Sequence, residues 1–184
     1  MEPSEIQENY AILDRAADDV LSLLSTEFMK PTESHVETII SAAASLAGLS
    51  VLRGRSFNLS SYKPGMIVDY DPGREIEEIR NFMMAAAGKN GLDPSRGWGS
   101  EIPEAHRPKF SIPEMTRDRE RKFLAVCDRH KLPRIFYPYV AVLAALKFVY
   151  ASDRVHRLDQ NTGKALVLYY LVAGAKTVPY FSFS

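Results

Sequence analysis

Apolar residues recur every three or four positions through the start of the chain, which is the period of one buried helix face. Acidic residues fill most of the intervening positions and supply a solvated face. The pattern predicts a first helix over about 4–28, ended by Pro31. The apolar positions of this face are Ile6, Tyr10, Leu13, Val20, Leu21, Leu24 and Phe28.

A second helix is predicted over about 35–53. Ser34 followed by Glu37 is typical of a capping box at its start. The middle of the helix, "SAAASLAGLS", consists of small residues on nearly every face. Because small side chains allow close approach of backbones, we expect other helices to cross this one tightly on more than one side.

A short β-branched stretch over 66–70 follows a connection rich in Gly and Pro. We predict that it is extended and that it has no other strand to pair with. Asp71 followed by Pro72 is typical of a helix start. The third helix begins there and ends at Gly88.

Three further helices are predicted in the second half of the chain. Ser111 with Glu114 forms a second capping-box pattern, which begins a helix to about Lys131. The next helix covers about 138–152. The last, about 162–175, is apolar on every face, which indicates a helix surrounded by protein. It is either the central helix of the fold or an interface between subunits.

Residues 88–111 form a long segment rich in Gly and Pro that holds Trp98, the only tryptophan. Loops of this length are uncommon in compact domains unless they have a function. We expect a strap that buries Trp98 against the helices. Two alternatives stay open: the loop contributes to a partner interface, or it is a lid over a ligand.

These elements predict an all-α fold, a single domain over residues 1–184. It is a bundle of about six helices with a long irregular loop between the third and fourth. The composition, with 46% hydrophobic and 25% charged residues, is that of an ordinary globular domain.

The location is predicted to be cytoplasmic. The acidic N-terminus does not resemble a secretory signal. Cys127 is the only cysteine, as a reducing compartment permits. The two most apolar runs, 138–151 and 165–175, are shorter than the about 20 residues that a membrane-spanning helix needs, so we expect no membrane association.

Charge is divided unevenly along the chain although the total is zero. Residues 1–50 carry two basic and nine acidic side chains, a net −7, whereas residues 94–184 carry fifteen and eight, a net +7. The two parts either pack together within one chain or join subunits head to tail. We expect the first arrangement.

The sequence motifs predict no cofactor and no metal site. "NTGKA" (161–165) lacks the first glycine of a phosphate-binding loop. Cys127 and His130 share a helix face, but two ligands do not make a structural zinc site. "TRDRERK" (116–122) alternates basic and acidic residues, as a solvated helix surface does, so no nucleic-acid partner is expected.

A weak ligand-binding set remains. Arg53 and Arg55 flank a glycine at the end of the second helix and can hold a carboxylate or phosphate bidentately. Trp98, His106 and Arg107 lie in the long loop. If the loop is a lid, Trp98 covers the ligand, and His106 with Arg107 reaches an anion that Arg53 and Arg55 can share. The alternative is that the two arginines complement the helix dipole.

By elimination, we predict that the protein acts by binding another macromolecule. The bound molecule is either a protein partner or a second copy of the chain, and we expect a homodimer. No catalytic residue is identified, and we lean against an enzyme. The alternative is a small-molecule or anion-binding pocket, with or without enzymatic activity, beneath the 88–111 loop.

Overall fold

The structure is a computed structural model that describes residues 3–30, 33–55 and 57–180, with side chains for 5–28, 35–55 and 57–180. These residues form seven α-helices and one two-residue antiparallel strand pair, so the predicted all-α bundle is confirmed. The elements are α1 (Pro3–Phe28), β1 (Met29–Lys30), β2 (Glu33–Ser34), α2 (Val36–Arg53), α3 (Gly73–Lys89), α4 (Ile112–Thr116), α5 (Arg119–Arg129), α6 (Tyr137–Arg154) and α7 (Gln160–Lys176).

The central helix is α2. Every residue from Thr38 to Leu49 is buried, and α7 and α6 make the most extensive contacts with it. The prediction that α2 is crossed tightly on more than one side is confirmed. Of the two alternatives for the last helix, the central position is wrong, since Tyr169 of α7 is 58% exposed.

Two glycines allow α2 and α7 to cross with their backbones in contact. A Cβ atom on Gly48 would lie 2.2 Å from the carbonyl oxygen of Leu171. A Cβ atom on Gly174 would lie 2.7 Å from the carbonyl oxygen of Ser45. No side chain fits at either position, so the identity of both residues sets the distance between the helices.

The acidic first helix packs against the basic later helices of the same chain. Lys147 on α6 lies 2.9 Å from Asp14 and 2.6 Å from Asp18. Arg129 on α5 lies 2.9 Å from Asp19. Acidic residues of the N-terminal part therefore pair with basic residues of the C-terminal part within one chain, as predicted.

Helix starts agree with the sequence patterns in part. The capping box of Ser111 and Glu114 is formed at α4. The box predicted at Ser34 is not the start of α2, whose N-cap is His35; the side chain of Ser34 lies outside the described residues, and Glu37 contacts His106 instead. The helix predicted from Ser111 to Lys131 is divided into α4 and α5, because Asp118 adopts a left-handed conformation with φ 58°.

The extended stretch after α2 has a partner, contrary to the prediction. Ile67 forms an antiparallel bridge with Thr177, just after α7. The backbone of Val68 donates to Lys176, and that of Val178 donates to Met66. The chain thus folds back after α7, and residues 181–184 lie outside the described residues.

Two helical stretches, Val36–Arg53 and Arg134–Arg154, are long and apolar enough to cross a membrane. The apolar run 138–151 lies within the longer stretch Arg134–Arg154, which includes Lys147, whereas Val36–Arg53 contains neither of the two runs named above. In each stretch the most apolar window of 18 residues is mostly buried within the protein, 83% and 72%, as in core helices. Their length is therefore weak support for a membrane location. The expectation of no membrane association stays a prediction.

Candidate functional site

Trp98 is part of the main hydrophobic core. Its side chain is 7% exposed, and its indole Nε1 donates to the carbonyl of Pro94 at 2.9 Å. The ammonium of Lys164 on α7 lies 5.8 Å from the centre of the ring. Residues 90–111, between α3 and α4, therefore pack against the bundle through Trp98. We call this segment the strap.

The start of the strap is fixed to the N-terminal end of α7. Lys164 is fully buried and donates to the carbonyl of Asp93. The backbone N–H of Asp93 donates to Oε1 of Gln160 at 2.9 Å. Desolvation lowers the pKa of Lys164, and the nearby carboxylate of Asp93 opposes this effect. Gly97, with φ 89°, approaches the backbone of Asn161 too closely for any Cβ atom.

His106 and Arg107 point to different parts of the molecule. The Nδ1 atom of His106 lies 2.8 Å from Oε1 of Glu37, in the first turn of α2. Arg107 pairs with Glu104 at 3.0 Å and lines a groove along α7. The strap thus joins the start of α2 to the outer face of α7.

The α7 groove, of about 680 Å³, lies between the outer face of α7 and the strap. Two large apolar side chains in its lining are widely exposed: Ile67 at 62% and Tyr169 at 58%. The groove is lined by Ile67, Trp98, Gly99, Ser100, Glu101, Ile102, Arg107, Ala165, Leu168, Tyr169, Tyr170, Val172, Ala173 and Lys176.

Arg53 and Arg55 line a different concavity, which we call the arginine cleft. It measures about 860 Å³ and lies where the end of α2 meets α3, α5 and the start of α6. It shares no lining residue with the α7 groove. It is lined by Leu46, Ser50, Val51, Arg53, Gly54, Arg55, Glu75, Glu78, Ile79, Glu120, Arg121, Phe123, Leu124, Arg134, Ile135, Tyr137, Pro138 and Tyr139.

The structure therefore divides the predicted ligand-binding set into separate places. Arg53 and Arg55 lie in the arginine cleft, Trp98 and Arg107 line the α7 groove, and His106 contacts Glu37. An arrangement in which all five converge on one anion does not exist in this structure.

Ion pairs already occupy the two arginines predicted from the sequence. Arg53 makes a two-pronged contact with Glu120, at 2.9 and 3.1 Å. Arg55 pairs with Glu75. Both guanidinium groups are thereby held in place as part of the wall of the cleft.

Sequence reasoning missed two other arginines of the cleft. Arg121 and Arg134 are exposed and have no ion-pair partner among the described residues. Arg121 belongs to the "TRDRERK" stretch, whose alternating charges resemble a solvated helix surface. Only the packing of α5 against the end of α2 reveals that one of its arginines borders a cleft.

Cys127 lies in the core and is unsuited to nucleophilic chemistry. Its side chain is fully buried, and burial raises the pKa of its thiol to about 12. A thiol must ionise to act as a nucleophile. His130, on the same helix, instead contacts Asp19 of α1 at 2.9 Å, and its hydrogen bond lowers the pKa of that carboxyl.

Stability is expected to fall as the pH rises from about 10 to about 12. Burial raises the pKa of Tyr70, Tyr137, Tyr139 and Tyr170 from 10.0 to about 12. Between these values the unfolded chain loses protons that the folded chain retains, so the proton balance favours unfolding as the pH rises. Urea denaturation at a series of alkaline pH values, with tyrosinate absorbance followed in parallel, measures the effect. Ionisation of all nine tyrosines near pH 10 without unfolding would contradict it.

Comparison with known protein families, curated proteins and solved structures found no match for this chain. The class that the fold defines is an all-α helical bundle. Any functional conclusion therefore depends on the geometry of the α7 groove and the arginine cleft.

Proposed function

We propose that the protein acts by macromolecular interaction, and that a second copy of the chain docks in the α7 groove to form a homodimer. The observation that carries the proposal is the exposure of Ile67 and Tyr169, which both line the same apolar groove. Contiguous exposed apolar surface of this kind is typical of interaction sites.

The charges at the two ends of the groove favour a second copy as its occupant. Lys176 is the last residue of α7, whereas Glu101 follows Trp98 on the strap, near the N-terminal end of the helix. Neither side chain has an ion-pair partner among the described residues. A twofold axis through the middle of α7, close to Tyr169, brings Lys176 of each copy towards Glu101 of the other. Self-complementary patches are what a symmetric dimer requires.

The helices also favour this arrangement. Two α7 helices related by a twofold axis across their length run antiparallel, so their dipoles oppose each other favourably. The proposal does not depend on the division of charge between the two halves of the sequence, because those ion pairs form within one chain.

Replacing Tyr169 by glutamate is expected to dissociate the dimer. The substitution places a charge at the centre of the proposed interface, where aromatic residues often contribute a large share of the binding free energy. We therefore expect the dissociation constant of the dimer to rise at least about 30-fold. Size-exclusion chromatography with light scattering, over a dilution series, measures the change. Val155→Glu is the matched control, because Val155 is 62% exposed and lines neither concavity.

A charge exchange tests the twofold arrangement. Lys176→Glu and Glu101→Lys should each weaken the dimer, and the double variant should restore it, since the pair is reformed with its signs reversed. A wild-type protein that stays monomeric at every concentration would refute the proposal. A dimer that Tyr169→Glu and Val155→Glu leave equally intact would place the interface elsewhere.

A further inference from the structure

The arginine cleft combines an apolar interior with arginines that make no ion pair within the described residues, and both are features of a small-molecule site. We propose that it binds a small organic anion with a ring-sized apolar body, held through its carboxylate or phosphate by Arg121 and Arg134. This inference is independent of self-association through the α7 groove, because the two concavities share no lining residue.

The interior of the cleft suits the apolar part of such a ligand. Its volume of about 860 Å³ falls in the range usual for ligand pockets, roughly 300–1,000 Å³. Leu46, Ile79 and Phe123 are almost completely buried and contribute the side chains of its floor. Ile135, at the rim, is 58% exposed and offers apolar surface that a bound ring would cover.

The charged groups of the cleft determine which end of the ligand binds where. Glu120 neutralises Arg53, and Glu75 neutralises Arg55. Each ion pair also holds its arginine in place in the wall of the cleft. Arg121 and Arg134 are left with unused hydrogen-bond donors. A guanidinium group matches the geometry of a carboxylate or phosphate and is weakly hydrated, so two of them in the lining of one cleft favour an anionic group.

A polyanion is a poor fit to the same lining. Three glutamates, Glu75, Glu78 and Glu120, line the cleft beside its four arginines. A nucleic-acid surface needs a continuous basic stripe along which several phosphates are neutralised. One anionic group on a compact apolar molecule matches the two lining arginines, Arg121 and Arg134, that make no ion pair within the described residues.

The first experiment uses fluorescent probes of defined chemistry. Anilinonaphthalenesulfonate combines a fused aromatic body with one anionic group, and N-phenylnaphthylamine has the same rings without the charge. We expect the sulfonate to bind the wild-type protein saturably. The double variant Arg121→Gln/Arg134→Gln should weaken that binding about tenfold or more for the loss of two charge-assisted contacts. The same variant should leave the affinity for the neutral probe unchanged.

Matched variants separate this cleft from other surfaces. Arg96→Gln/Arg154→Gln removes the same charge outside the cleft and should bind the sulfonate as the wild type does. Tyr169→Glu alters the α7 groove and should also have no effect. Because Arg121 and Arg134 make no ion pair with any described residue, the double variant should keep its circular dichroism spectrum and its unfolding temperature. A loss of binding is then not a loss of folding.

Competition identifies the ligand chemistry more closely. Naphthoate and naphthyl phosphate are added to the protein–sulfonate complex, and displacement by either supports the proposal and identifies the preferred anionic group. Equal binding of the sulfonate to the wild type and to the Arg121/Arg134 variant would overturn the proposal as a whole.

Discussion

Replacing Gly48 by alanine is expected to destabilise the protein by at least about 3 kcal/mol. The added Cβ atom would lie 2.2 Å from the carbonyl oxygen of Leu171 and 2.4 Å from the backbone nitrogen of Ala175. These are backbone atoms of α7, so no rotamer change relieves the clash and the two helices must separate. Urea denaturation followed by circular dichroism measures the loss of free energy of unfolding.

Gly88→Ala is the matched control for this substitution. Gly88 lies in α3, and a Cβ atom there would have only the ring of Pro94 nearby, at 4.0 Å. Because alanine is the better helix former, we expect stabilisation of about 0.5–1 kcal/mol. Equal effects of the two substitutions would show that α2 and α7 do not meet closely at Gly48.

Replacing Trp98 by alanine is expected to cost about 4 kcal/mol of stability. The substitution removes a buried indole from the main core and leaves a cavity between the strap and α7. It also removes the aromatic ring that lies 5.8 Å from the buried ammonium of Lys164, whose hydrogen bond to the carbonyl of Asp93 remains. Thermal unfolding of the purified variant measures the effect.

Trp98→Phe separates packing from hydrogen bonding at the same position. It keeps an aromatic ring but loses the hydrogen bond from Nε1 to Pro94, so we expect a smaller loss, about 1–2 kcal/mol. If Trp98→Ala retained nearly wild-type stability, the strap would not be part of the core. The hypothesis of a lid over a ligand would then replace that of a structural strap.

Local patterns predicted the helices well because their causes are local. The periodicity of the first 28 residues and the capping box of Ser111 and Glu114 depend only on neighbours within a few positions. The pairing of Ile67 with Thr177 has no such signal, since the two segments are more than 100 residues apart. The break at Asp118 likewise depends on a left-handed conformation that few residues other than glycine adopt.

The periodicity of apolar residues also could not predict which of the apolar helices is the most deeply buried. A helix that is apolar on every face is predicted to be covered, but the pattern does not say by how much. The small residues of α2 proved the better guide, since Gly48 lets α7 approach most closely there. Tyr169 of α7 shows that an apolar side chain at such a position can face outwards.

The candidate sites were predicted only in fragments for the same reason. Arg53 and Arg55 were found because they adjoin a helix end, which is a local feature. Their partners Glu120 and Glu75 come from α5 and α3, and the unpaired Arg134 comes from the turn before α6. A cleft assembled from four segments has no spacing that a single sequence displays.

The crossing of α2 and α7 has a consequence for synthesis on the ribosome. More than 100 residues separate the end of α2 from the start of α7. At about 5–20 residues per second, α2 emerges roughly 5–20 s before the helix that covers it. During that interval the face of α2 that α7 covers has no native partner, so until α7 emerges this face depends on chaperones to avoid aggregation. Closing such a long loop also slows folding of the completed chain.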